Sequence, residues 1–320
     1  MIPERGDRAR VFHYQAFGLP MRSSLRLPGL APAAARPHAL TVGLVSRSEI
    51  ERLWSGTPGE PVWLTAIDGR PYTMELGARG DYLMTYGDEA VFLLSADVRE
   101  LRCAPAEHPG AAWQRFLLDT VLWSASLLSG IELLHASAVQ GTAGVAAFAG
   151  FSGSGKTSLA VELVRRGGAL FSDDILALPA PATGELRAHP GPGLMNVPRE
   201  RESCDGLGDL GHVLAQFPAE DWVTVARAAV ESDRIAAVCL LRRGSGTTLA
   251  LRRLQPTVLD LLPFTLGFPH LNGRMRQRFT LFARLATETP IYELSAPPDA
   301  PPASLADLVE PLVFRGLGQA

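Results

Sequence analysis

Between residues 11 and 105, short apolar runs alternate with turn-forming residues. Pro61-Val-Trp-Leu-Thr-Ala, Tyr82-Leu-Met-Thr-Tyr and Val91-Phe-Leu-Leu-Ser are separated by Asp68-Gly69-Arg70 and Gly87-Asp88. Runs of that length, bounded that way, predict strands. Ala31-Pro-Ala-Ala-Ala-Arg-Pro predicts a loop. From 111 to 134 breakers are few and apolar residues form the majority, which predicts one long helix. Gly144-Val-Ala-Ala-Phe-Ala then reads as a buried strand, Gly150–Gly155 as a loop, Thr157–Arg166 as a helix stopped by Gly167-Gly168, and Ala169-Leu-Phe-Ser as a further strand. Residues 180–215 are rich in Gly and Pro and predict a loop-dominated stretch suited to substrate contacts. Beyond them the pattern predicts strands at Ile235–Leu241, Thr248–Leu254 and Ile291–Leu294. Helices are expected near Thr257–Leu262, Gln277–Thr287 and Leu305–Val313. The chain therefore reads as α/β, with a β-rich N-terminal domain over 1–108 and a second domain over 109–320.

Composition narrows the class. Of 320 residues, 47% are hydrophobic and 20% charged, an ordinary globular balance. A net charge of -3 and no basic helix give nucleic acid no purchase. The most apolar stretch, Phe116 to Leu134, carries Asp119 and Glu132, so it reads as a buried helix and not as a membrane span. Met1–Arg10 is charged and has no apolar core, so no secretory signal is expected. Cys103, Cys204 and Cys239 share no metal-ligand spacing and suit reduced thiols, hence a cytoplasmic protein.

One bias is sharper. Among 30 basic residues, Lys156 is the only lysine. A GC-rich genome turns lysine into arginine wherever either serves, so a surviving lysine marks a need for a compact ammonium in place of a planar fork. Lys156 sits in Gly150-Phe-Ser-Gly-Ser-Gly-Lys-Thr157, which fits the phosphate-loop pattern G-x-x-x-x-G-K-[ST]. Glycines let successive N–H groups curl into an anion nest, and the following helix turns its positive end to the same place. Gly150, Ser152, Gly153, Ser154, Gly155, Lys156, Thr157 and Ser158 are accordingly the expected nucleotide-binding residues. Lys156 would meet the β- and γ-phosphates, and the Thr157 hydroxyl would meet Mg²⁺. Asp173-Asp174 follows the strand Ala169–Ser172, taken here as a neighbour of the phosphate-loop strand, where a carboxylate can serve the metal. Adjacent strand residues point to opposite faces, so the pair can divide its work between metal and attacking hydroxyl. His135, in Leu133-Leu-His-Ala-Ser-Ala-Val, suits either a satisfied core histidine or a catalytic one.

At His135, Gly150–Thr157 and Ser172-Asp173-Asp174 the chain resembles the HPr kinase/phosphorylase family, whose catalytic domain also looks like that of phosphoenolpyruvate carboxykinases. The spacings, 15 residues from His135 to Gly150 and 17 from Lys156 to Asp173, fit that resemblance. It implies a P-loop catalytic domain of that α/β type behind a β-rich N-terminal region, with ATP and Mg²⁺ as cofactors. It further implies that Asp173 is the general base, that Asp174 joins Thr157 at the metal, and that His135 lies near the γ-phosphate. Arg274, in Asn272-Gly-Arg, is the arginine assigned to the transferring phosphate, with Arg199 and Arg201 as substitutes. Gly191-Pro-Gly-Leu-Met-Asn-Val echoes only part of the glycine-rich signature of true HPr kinases. Tyr14-Gln-Ala-Phe-Gly-Leu-Pro, Leu134-His-Ala-Ser-Ala-Val and Pro290-Ile-Tyr-Glu-Leu look like a kinase-related subgroup found beside biosynthetic gene clusters. Some of its members phosphorylate a serine of lasso-peptide precursors. The resemblance thus implies a serine kinase acting on a peptide or small protein, with no membrane or nucleic-acid partner, and it leaves a homo-oligomer open. A small-molecule hydroxyl kinase and an ATP-gated regulatory subunit are the alternatives.

Overall fold

The computed structural model describes residues 11–54, 59–179, 184–199, 210–244 and 248–315. The chain forms two compact units, 1–129 and 130–320. The division falls after the helical segment, not at 108/109.

The first unit holds β1 (Phe12–Ala16), β2 (Leu19–Ser23), β3 (Leu40–Leu44) and α1 (Arg47–Trp54). After these come β4 (Glu60–Ile67), β5 (Arg70–Leu76), β6 (Tyr82–Tyr86), β7 (Ala90–Leu94) and β8 (Glu100–Pro105). Among the described residues they make one sheet in the order β1-β2-β3-β8-β7-β6-β5-β4. Asp68 and Gly69 join β4 to β5 with φ of 51° and 73°. Two left-handed residues in a two-residue loop match the right-handed twist of a hairpin. A helical run follows: α2 (Ala112–Phe116), a π-helical turn (Leu117–Val121) and α3 (Leu122–Leu128). Phe116 stacks on Tyr86 at 4.2 Å and meets Tyr72 edge-on at 5.0 Å. Both tyrosines are buried on the sheet. That aromatic packing ties the helical run to the first unit, so the boundary comes after it.

The second unit opens with β9 (Glu132–Gly141) and β10 (Gly144–Ala149), followed by α4 (Lys156–Arg165). Next come β11 (Ala169–Ser172), β12 (Ile175–Leu178), β13 (Arg187–Ala188), β14 (Leu194–Pro198), β15 (Gly211–Gln216) and β16 (Glu220–Val225). β17 (Asp233–Arg243), β18 (Ala250–Arg253), α5 (Val258–Leu261), β19 (Thr265–Leu266), α6 (Met275–Glu288), β20 (Ile291–Ala296) and α7 (Pro302–Phe314) complete it. The main sheet runs β11-β9-β10-β17-β20-β18, with β12 and β19 also on β9 and β13 on β17. β10 is parallel to β17 and β17 to β20, whereas β9 is antiparallel to β10.

Alternation along β10 sends Ala146 and Phe148 to a core shared with Leu159 and Leu163 of α4 and Val309 of α7. Val145, Ala147 and Ala149 join Leu281, Phe282 and Leu285 of α6 on the other face. Helices therefore cover both faces, which is why this strand reads as an unbroken apolar run. Among the described residues no helix is long and apolar enough to cross a membrane.

Three expectations are corrected. The helix predicted over 111–134 ends at Leu128, and Leu133, Leu134 and His135 lie on β9. β9 is buried on both faces, and an apolar run of that kind lacks the alternation that marks a strand. β11 does not adjoin β10, the strand that leads into the glycine-rich loop, because β9 lies between them. The stretch 180–215 is not loop-dominated in its described part. β14 pairs with β16 and β16 with β15, and Met195, Val197, Val223 and Val225 extend the α4-side core.

Candidate functional site

β10 ends at Ala149, and the 150–155 loop carries the chain into α4. Gly153 and Gly155 take φ of 75° and 91°, a region that glycine alone enters freely. α4 starts with its unpaired N–H groups and the positive end of its dipole facing the loop. Lys156 is only 5% exposed. Its ammonium donates to Gly150 O at 3.1 Å and Phe151 O at 3.3 Å. Burial lowers the Lys156 pKa, while Asp174 and then Asp173 hold it up. Ser152 and Gly153 form the exposed loop tip, and Thr157 and Ser158 are half-buried in the first turn of α4. Ser154 Oγ is buried and has no hydrogen-bond partner among the described residues. A Cβ on Gly150 would come within 2.6 Å of it. The loop thus holds a buried cation, an unused hydroxyl and a glycine hollow, a set suited to an anion with several oxygens.

The acidic pair faces this loop from across β9. β11 and β12 both pair with β9, Ser172 opposite Ala138 and Ile175 opposite His135. Asp173 and Asp174 fill the gap between those pairs. Asp174 is left-handed at φ 61°, an uncommon backbone state for a residue with a Cβ and one that concentrates at functional sites. Its carbonyl accepts from Ala136 N–H at 2.9 Å, which pins the gap to β9.

Asp173 Oδ1 accepts from Ser137 Oγ at 2.7 Å and from Thr157 Oγ1 at 3.0 Å, and Oδ2 accepts from Asn196 N–H at 3.3 Å. Burial and then the neighbouring Asp174 charge push the Asp173 carboxyl up to about 7, against those three donors. His135 is held below its ordinary value by burial and by Lys156, with Asp174 opposing, so its imidazole is neutral near pH 7.

Lys156, Thr157, Asp173, Asp174 and His135 are therefore one electrostatically connected group. Thr157 touches Asp173 and not Asp174, its expected partner at the metal. Among the described residues no three His, Cys, Asp or Glu side chains gather as a metal cage. A cation here would rest on Thr157, one carboxylate and the oxygens of its own ligand. Cys103 and Cys239 are free and buried, and Cys204 lies outside the described residues.

Arg274 donates to Glu132 at 2.7 Å, and Arg278 donates to the other oxygen of the same carboxylate at 2.7 Å. Glu132 has 0% exposure. Removing one member of such a buried ion group leaves uncompensated charge. Glu132→Ala should therefore destabilise the chain by about 3–5 kcal/mol, read as a lower urea midpoint at unchanged m. Arg199 is committed to buried Asp221 at 2.8 Å, and Arg201 lies outside the described residues.

Sequence reading missed two features of the loop. Phe151, its second residue, is 68% exposed, with its ring 5.2 Å from Phe264. Arg243, at the end of β17, donates through Nε to Ser154 O at 2.8 Å. The sequence does carry a signal for Arg243: a charged residue closing an apolar strand parallel to β10 stands at the edge where open α/β sheets bind ligands.

No family model matches the chain, and no curated protein matches it. Among solved structures it is similar to the Hpr(Ser) kinase/phosphatase from Coxiella burnetii, at 15% identity and a TM-score of 0.31. That similarity covers 57% of this chain and 87% of the other.

Proposed function

We propose that this chain is an ATP-dependent kinase that transfers the γ-phosphate to a hydroxyl, with a serine of a peptide or small protein as acceptor. The observation that carries the reading is the 3.0 Å contact between Thr157 Oγ1 and Asp173, beside the buried ammonium of Lys156 at the start of α4. Residues 150–158 would hold the phosphates, with Ser154 Oγ and the first N–H groups of α4 as donors. Thr157 donates its proton to Asp173, which leaves the lone pairs of its oxygen free for a cation. Thr157 and Asp174 would hold Mg²⁺, which supplies charge neutralisation at the phosphates when bound.

Asp173 orients the acceptor hydroxyl and takes its proton as the bond from the acceptor oxygen to the γ-phosphorus forms and the bond to the ADP oxygen breaks. Lys156 offsets the charge on the moving phosphoryl group. His135, neutral, adds no positive charge to compete with it. Arg274, which here donates to Glu132, is the arginine assigned to the transferring phosphate.

The test is incubation with ATP, Mg²⁺ and a panel of serine-containing peptides, read by mass spectrometry. A single added phosphate on a peptide serine supports the reading. ATP consumption with every peptide unmodified moves the acceptor to a small-molecule alcohol. Tight ATP binding without turnover makes the chain a regulatory subunit and sinks the kinase.

A further inference from the structure

We infer that Arg243 is a positioning residue for the nucleotide phosphates, acting through the Ser154–Gly155 peptide; this rests on the kinase reading above. A trans peptide is planar, so its C=O and N–H point in opposite directions. Arg243 Nε donates to Ser154 O at 2.8 Å. Holding that carbonyl against β17 turns the N–H of Gly155 the other way, toward the hollow that would take the phosphates. The bond is charge-assisted, and polarising the carbonyl strengthens the N–H of the same peptide unit as a donor.

The guanidinium is itself fixed. Nη1 donates to the carbonyls of Pro297, Pro298 and Ala300, at 3.3, 2.9 and 3.1 Å. Those residues follow β20, so one side chain ties the phosphate loop to the ends of two parallel strands. A planar fork can reach both sets of carbonyls at once, whereas the single nitrogen of a lysine cannot. Gly155 completes the fit. A Cβ there would lie 3.1 Å from Arg243 Nη2, a tight contact, and the left-handed φ of 91° favours glycine in any case.

The test is calorimetric titration of wild type, Arg243→Met and Arg243→Lys with Mg-ADP, Mg-ATP and adenosine. Arg242→Met is the control, because Arg242 is 61% exposed and pairs with Glu293. In Arg243→Met the dissociation constants for ADP and ATP should rise together by about tenfold, the loss of one charge-assisted hydrogen bond. Adenosine affinity should not change. Arg243→Lys should recover part of the loss, and Arg242→Met should match wild type. Equal ADP affinity in wild type and Arg243→Met overturns the inference, and so does a parallel loss of adenosine, which marks a general fold defect. A wild-type chain that binds neither ADP nor ATP brings down the kinase reading and this inference with it.

Discussion

Asp173→Asn should abolish phosphoryl transfer and, in the nucleotide-free protein, make the chain more stable at pH 8. The two effects share one cause. The carboxyl stands in a half-buried pocket beside a second acid, where its charged form is disfavoured and its pKa lies near 7, against an ordinary 3.8. Below about pH 4 the carboxyl is protonated in folded and unfolded chains alike and carries no penalty. As pH rises the unfolded chain ionises first, so folding loses stability until the folded carboxyl ionises near 7; above that the loss is constant. Some three pH units at about 1.4 kcal/mol each set an upper bound of about 4 kcal/mol.

Asparagine keeps the acceptor oxygen for Ser137 and Thr157 without the charge, and gives up only the long 3.3 Å bond from Asn196 N–H. In EDTA its Tm should exceed that of wild type by about 5 °C at pH 8, with the gap closing toward pH 4. Transfer should fall at least about 10³-fold, since the amide can neither take the acceptor proton nor orient the hydroxyl as a carboxylate does. ADP affinity should stay near wild type. An Asp173→Asn protein that is no more stable at pH 8, or that still transfers phosphate at speed, would remove Asp173 from the role of base.

Lys156→Arg, conservative by charge, should be nearly as damaging as Lys156→Ala. Every other cation in the chain is an arginine, so the genome had the substitution at hand everywhere else. The physical obstacle is space. The Lys156 ammonium lies within 3.3 Å of two loop carbonyls in an almost fully buried site. A guanidinium is broader, must keep its donors in one plane, and would push the loop out of its left-handed turns. Steady-state kinetics should show kcat down by about 10²–10³ in both variants, the range found when one preorganised charge is removed from a transition state. Circular dichroism should stay at wild-type values. Arginine activity within a factor of a few of wild type would show that charge alone is enough at this position.

Much of the fold is legible in the chain because it is set locally. The hairpin at Asp68-Gly69, the strand 144–149 and the loop-to-helix step at 150–157 each depend on a few consecutive residues whose backbone preferences agree. The 291–296 strand and the helices 275–288 and 302–314 follow from periodicity in the same way. The β9 segment was not legible as a strand: a run apolar on both faces gives the same signal as the end of a helix, and only the flanking β10, β11 and β12 distinguish them.

The sequence alone determined the glycine-rich loop that leads into α4, its one lysine, and the acidic pair 17 residues beyond it, since glycine conformations and helix polarity act within a few bonds. Tertiary structure alone decided what each charge meets. It placed β9 between β10 and β11, so that Ser137 and Thr157 converge on Asp173. It gave Arg274 to Glu132 across 142 residues, and Arg243 to a loop carbonyl 89 residues away. Charged side chains pair with whatever the strand order brings within about 3 Å, and strand order follows from burying apolar faces over the whole domain, not from neighbours in sequence.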